Sequence, residues 1–249
     1  MEDSLSNLPA MLPNNVQTLL RSLVSASIEC FGPDLLSVVL FGSAAEGRLR
    51  VTSDVNLLFV LDRFDLNKAD PLREPFRVGY AAVRLSTMFV LRSELEAANE
   101  AFAVKFGDIS GRHRILYGQD LLSGLASSRV AKLRTLRQIL LNLSMRLRER
   151  YMATSLREEQ LAIVIAETAS PLRSAAAAIL DLEGRSAPSP KEALETIAGR
   201  FEGCDCNEVL KYLSEARENR SLPAGVAPAT AAGLMELTAR MRDYVERIA

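Results

Sequence analysis

Val38-Val39-Leu40-Phe41-Gly42-Ser43, then ten residues, then Asp54-Val55-Asn56-Leu57: the fold turns on this stretch. Leu35 to Phe41 is short and mostly apolar, with Pro33-Asp34 before it and Gly42-Ser43 after it. That pattern predicts a buried strand. Residues 44–53 are mostly small or polar and predict a loop. Asp54 to Leu61 predicts a second strand. Side chains alternate along a strand, so Asp54 and Asn56 share a face, roughly 7 Å apart. Two oxygen ligands on one rigid face suit a hard divalent cation. Gly42 lets a phosphate approach the backbone, and the N–H groups that follow can donate to it. The plainer alternative is a strand–turn–strand in which Asp54 caps a turn with Ser53 or pairs with Arg48 or Arg50.

Working outward, Val16, Leu19, Leu20, Leu23 and Val24 form a helical stripe, with Ser27 one turn later and Asn14 or Asn15 as the cap. Residues 71–82 predict a helix starting at Pro71. Val83 to Leu91 predicts a third strand. Ser93 to Asn99 predicts a helix capped by Ser93, with Glu96 three residues on. Phe102 to Ile109 and Ile115 to Tyr117 are further strand candidates. Beyond residue 120 the texture changes. Val130, Leu133, Leu136, Leu140, Leu143, Leu147 and Tyr151 mark one face of a long helix. Leu156 to Leu182 predicts another, kinked or split at Pro171. Glu192 to Ala198, Cys206 to Arg217 and Ala229 to Ile248 predict three more. The expected domains are therefore 1–120 and 121–249.

Composition sets the outer limits. The chain has 249 residues, 48% hydrophobic and 24% charged, a globular mix. Its formal net charge is −1 and it has no Trp, which disfavours a dedicated nucleic-acid binder. Residues 1–120 hold eight of the nine Phe and carry net −3, while 121–249 carry net +2. The basic stretch 129–150 reads first as a solvated helix face. Cys30, Cys204 and Cys206 read as reduced thiols, with no zinc and a cytoplasmic location. The N-terminal residues lack a signal-peptide pattern, and no membrane partner is expected.

The Gly42-Ser43 … Asp54-Val55-Asn56 pattern resembles the signature of the nucleotidyltransferase superfamily: an apolar strand, Gly-Ser, a spacer, then Asp-apolar-acid. Phe102 to Ile109 and Arg112 to Gly118 also look like bacterial nucleotidyltransferase-domain proteins with a helical C-terminal half. Arg173 to Gly184 and Tyr244 to Ile248 look like that half. The plan is similar to that of kanamycin nucleotidyltransferases. The resemblance implies an α+β class: a mixed sheet backed by helices, then an all-α helical bundle. It implies a magnesium-held nucleoside triphosphate, transfer of its nucleotidyl group to an acceptor hydroxyl, and a homodimer. On this basis Asp54 and Asn56 are the catalytic and metal residues, and Gly42, Ser43 and Lys105 bind the nucleotide.

Two positions depart from the family pattern. Asn56 stands where a second acid is expected and offers only a neutral carbonyl. Lys105 matches the position of a third carboxylate, a charge reversal. An ammonium there can neutralise a phosphate, or it can pair with Asp54 in an empty pocket. Two functions stay open. One is magnesium-dependent nucleotidyl transfer. The other is a catalytically degenerate member, a pseudoenzyme that binds a nucleotide or a protein partner.

Overall fold

The computed structural model describes residues 8–50, 52–154, 156–201 and 206–249. The chain forms two compact units, Met1–Ala101 with Lys105–Ala126, and Phe102–Val104 with Ser127–Ala249.

The first unit is built on a four-stranded sheet of β1 (Leu35–Phe41), β2 (Val55–Leu61), β3 (Leu85–Leu91) and β4 (His113–Gly118), in the order β3-β2-β1-β4. β1 runs antiparallel to both β2 and β4, whereas β2 and β3 are parallel, so the sheet is mixed. Both central strands are apolar on both faces because helices cover both. On one face Val38, Leu40, Leu57 and Phe59 pack with α1 (Asn14–Phe31), through Leu20, Leu23 and Val24. On the other, Val39, Phe41, Leu58 and Val60 pack with Leu95 of α4 (Leu95–Ala101) and with Phe106 and Ile109 of α5 (Ala103–Gly111). The crossover from β2 to β3 holds α2 (Leu66–Ala69) and α3 (Arg73–Val83).

Several local expectations need correction. Residues 102–109 are not a strand. Phe106 and Ile109 are three apart and both buried, which is a helical face. Asp108 is on the same helix and bonds Arg112 one turn on. Asn14 does not cap α1. Pro13 holds the cap position without a side-chain bond, and Asn14 is already helical. Ser93 does not cap α4 either; Glu94 accepts from the Leu91 N–H at 2.9 Å.

A buried carboxylate ties the α1–β1 corner. Asp34 accepts from Lys68 Nζ at 2.5 Å and Arg63 Nε at 3.0 Å, while Lys68 also donates to the Phe31 carbonyl at 3.1 Å. The Lys68 bond, together with Arg63, holds the Asp34 carboxyl below its ordinary value despite burial. A depressed acid stabilises the fold above its unfolded pKa and loses that contribution as pH falls through the folded value. Asp34→Asn should therefore lower the melting temperature at neutral pH. The gap to the wild type should close as melting is followed into acid below the aspartate range; a gap unchanged by acid would remove this assignment.

The second unit is helical: α6 (Arg129–Thr154), α7 (Glu158–Leu182), α8 (Pro190–Ala198), α9 (Cys206–Asn219) and α10 (Ala227–Ile248). α7 is central and packs against the other four. It passes Pro171 without ending. By length and composition α7 could cross a membrane. Its Leu161, Ile165, Leu172, Ala176 and Ile179 are instead fully buried in this unit's core. Several basic residues of α6 bond within the helical unit. Arg129 donates to the Leu182 and Ile248 carbonyls at 2.8 and 2.7 Å, at the ends of α7 and α10, where a cation meets the negative end of the helix dipole. Lys132 pairs with Asp181 and Arg137 with Glu246. Cys30 is a free thiol but Cys206 is disulfide-bonded, so the expectation of three reduced thiols fails at Cys206. Cys204 lies outside the described residues.

Candidate functional site

The C-terminal end of β1 is where the sequence-predicted residues gather. Phe41 faces Asn56 on β2 and His113 on β4, so three strand ends meet at Gly42. Gly42 opens a short 3-10 turn with φ +74°, in the left-handed region that a β-carbon disfavours. Its N–H donates to the Arg112 carbonyl at 3.0 Å, which ties the turn to the start of β4. A β-carbon on Gly42 would lie 3.7 Å from Asn56 Nδ2, so the Asn56 amide sits directly beside the turn. Ser43 follows in the same turn and is half-buried; its carbonyl accepts from the Arg48 N–H at 2.8 Å.

Asp54 stands immediately before β2. Its Oδ1 accepts from Arg84 Nε at 2.7 Å, and both side chains are about half exposed. Arg48, one expected partner, pairs with Glu46 instead. The Asp54–Arg84 bond follows from register. Val55 lies opposite Leu85 in the parallel β2–β3 pair, which sets the two preceding residues side by side. Asn56 Nδ2 donates to the Asp54 carbonyl at 3.2 Å, so its amide nitrogen is turned toward Asp54.

Lys105 departs from its expected place. It is on helix α5 rather than a strand, and among the described residues Asp54 pairs with Arg84 and not with it. The protein around Lys105 desolvates its ammonium and lowers its pKa. The cation on Asp54 is instead Arg84, at the head of the strand that borders Asp54. Arg84 escaped the sequence reading because a strand run does not announce its neighbour or its direction. The signal was a basic residue near the start of the predicted third strand, Val83 to Leu91; the observed strand begins one position after it.

Next to the Gly42 turn lies an open groove of about 500 Å³, lined by Ala45, Glu46, Arg112, His113, Arg114 and Asp120 among others. Arg112 donates to Asp108 and, at 3.1 Å, to Glu46. These two carboxylates outweigh burial and keep the guanidinium pKa raised. Arg114 Nε donates to the Ala45 carbonyl at 2.7 Å. The His113 ring lies between the Ser110 carbonyl at 3.0 Å and Asp120 Oδ2 at 3.2 Å. These bonds brace the 42–48 turn against β4.

A two-metal centre needs several carboxylates converging on one point. Among the described residues no cluster of three or more His, Cys, Asp or Glu side chains is placed to hold a metal. Asp54 has a guanidinium on it, Glu46 and Asp108 are held by Arg112, and Asp120 is held at the His113 ring. The donor set does not fit a two-metal site.

A mixed sheet whose first two strands are joined through a Gly-Ser turn, followed by a helical bundle, is the nucleotidyltransferase fold, of α+β class. Among solved structures, the chain resembles spectinomycin adenyltransferase AAD(9) from Enterococcus faecialis, whose structure contains ATP and spectinomycin. The TM-score is 0.63 at 13% identity, over 90% of this chain and 98% of that one. No family model and no curated protein sequence matches the chain.

Proposed function

We propose that this chain is a nucleotidyltransferase-fold protein that binds a nucleoside triphosphate at the Gly42 end of β1 and does not carry out two-metal nucleotidyl transfer. The observation that carries this is the Arg84–Asp54 bond. It places a cation on the carboxylate that the fold would give to magnesium. In this role Gly42 and Ser43 supply the close backbone approach for a phosphate, and Asn56 supplies a neutral amide beside it. The AAD(9) structure, solved with ATP, makes a triphosphate the natural ligand to try.

Titration calorimetry with ATP, CTP, GTP and UTP tests the proposal. At least one should bind, and magnesium-containing mixtures with candidate acceptor alcohols should release no pyrophosphate. Gly42→Ala should weaken binding by about tenfold, from ~1–2 kcal/mol of left-handed strain at the phosphate turn. Its melting temperature should be recorded to separate weakened binding from unfolding. Failure of all four nucleotides to bind would refute the binding claim, and pyrophosphate release would refute the other half.

A second function is favoured by the extent of the AAD(9) likeness, which spans nearly all of both chains. It is transfer of a nucleotidyl group to a hydroxyl of a small molecule. The pyrophosphate assay separates the two.

A further inference from the structure

We infer that Arg84 stands in for the divalent cation, so that the triphosphate is held by a guanidinium and binds without magnesium. This rests on the nucleotide-binding function proposed above and names its chemistry.

Three observations support it. The first is charge. Two facing carboxylates repel a triphosphate until a metal neutralises them. Here Asn56 is neutral and Asp54 is matched by Arg84, so an anion meets no uncompensated carboxylate in this trio. The second is position. The β2–β3 register fixes Arg84 beside Asp54 at the same sheet end as Gly42 and Asn56. The third is backbone conformation. Arg84 caps α3 in the left-handed region, at φ 51° and ψ 48°, where Gly or Asn is usual. Arg220 is the other non-glycine with positive φ among the described residues. A long charged side chain kept at such a position points to a use for that side chain.

The chemistry is well matched. A guanidinium presents five N–H donors in a planar fork that suits phosphate oxygens. Asp54 engages Nε and orients the plane. The pair is half exposed, so an incoming phosphate can reach the guanidinium while Asp54 stays close. No bond is made or broken; this is a binding role.

Calorimetry with ATP, in EDTA and again in excess magnesium, tests it on the full chain. The wild type should bind at least as well in EDTA, since magnesium removes charge from the nucleotide. Arg84→Asn keeps a residue tolerant of left-handed backbone and should weaken binding in EDTA by about tenfold to hundredfold, the loss expected for a charge-assisted bond. Arg84→Lys retains the charge without the fork and should fall between. Arg84→Glu should bind only when magnesium is supplied. Melting temperatures confirm that each variant is folded. Wild-type binding that requires magnesium would overturn the inference and leave nucleotide binding intact. Unchanged affinity of Arg84→Asn in EDTA would also overturn it. No ATP binding in either buffer would overturn both.

Discussion

Gly118→Ala is expected to destabilise the first unit by about 3–5 kcal/mol, at the upper end for single substitutions. Gly118 ends β4 at φ +75°, and a β-carbon there would sit 1.9 Å from the Leu36 carbonyl oxygen and 2.9 Å from its carbon. Both atoms belong to the backbone of β1, so no side chain can swing aside. Strain from the left-handed conformation adds roughly 1–2 kcal/mol. The variant must open the β1–β4 pairing at Ser37, close to that ladder's register shift between Val38 and Val39. Gly124→Ala is the control. Gly124 has φ +90° but nothing within 4 Å of the added carbon, so it should cost only the backbone strain. Urea unfolding followed by circular dichroism compares the two. Equal losses would show that the contact with Leu36 gives way more easily than its geometry implies. A domain's net stability is only about 5–15 kcal/mol, so the variant should also express poorly.

The second large effect is at Phe59, in the middle of β2. Its side chain is fully buried, stacked on Phe89 with centroids 4.9 Å apart and tilted against Phe76 at 5.4 Å. Phe59→Ala removes a ring from the side of the sheet that α1 covers. The expected cost is about 3–5 kcal/mol, from lost transfer energy and the cavity left behind. Phe64→Ala is the comparison, since Phe64 meets the same cluster edge-on from a half-exposed position. It should cost no more than about 1 kcal/mol. Equal midpoints for the two variants in urea would mean that the cluster is looser than its ring geometry. Phe59 also shares its strand with Asn56, so its loss should reach the Gly42 end through the β1–β2 register.

Much of this architecture is legible in the chain. β1 and β2 stand out because both faces of a central strand are buried, which leaves an apolar run that little else produces. The helical unit is legible because α6, α7 and α10 are long enough for the 3.6-residue period to repeat many times. Residues 102–109 misled because Phe102, Val104 and Phe106 alternate as a strand would. In a segment this short, alternation and a helical face compete on equal terms. Phe102 is exposed, and the buried set is the helical one, Phe106 with Ile109. At the candidate site Gly42, Ser43, Asp54 and Asn56 are neighbours along two adjacent strands, so local sequence brings them together. Arg84 is brought in by a parallel pairing across the whole α2–α3 crossover. No local pattern encodes that pairing, whereas Lys105 stands out only through the family resemblance.

The Asp54–Arg84 bond also restricts how the site can evolve. An acid in place of Arg84 would face Asp54 across paired strands, where like charges repel. That intermediate is tolerable only while a divalent cation sits between the two carboxylates. An acid in place of Asn56, with Arg84 retained, meets a guanidinium already present, and the step is electrostatically mild. Substitutions from here toward a carboxylate centre are therefore not interchangeable in order. Position 56 can change first at little cost, and position 84 can follow only where a metal is at hand. The ion pair thus makes the site tolerant of an added charge at one residue and conditional on a metal at the other.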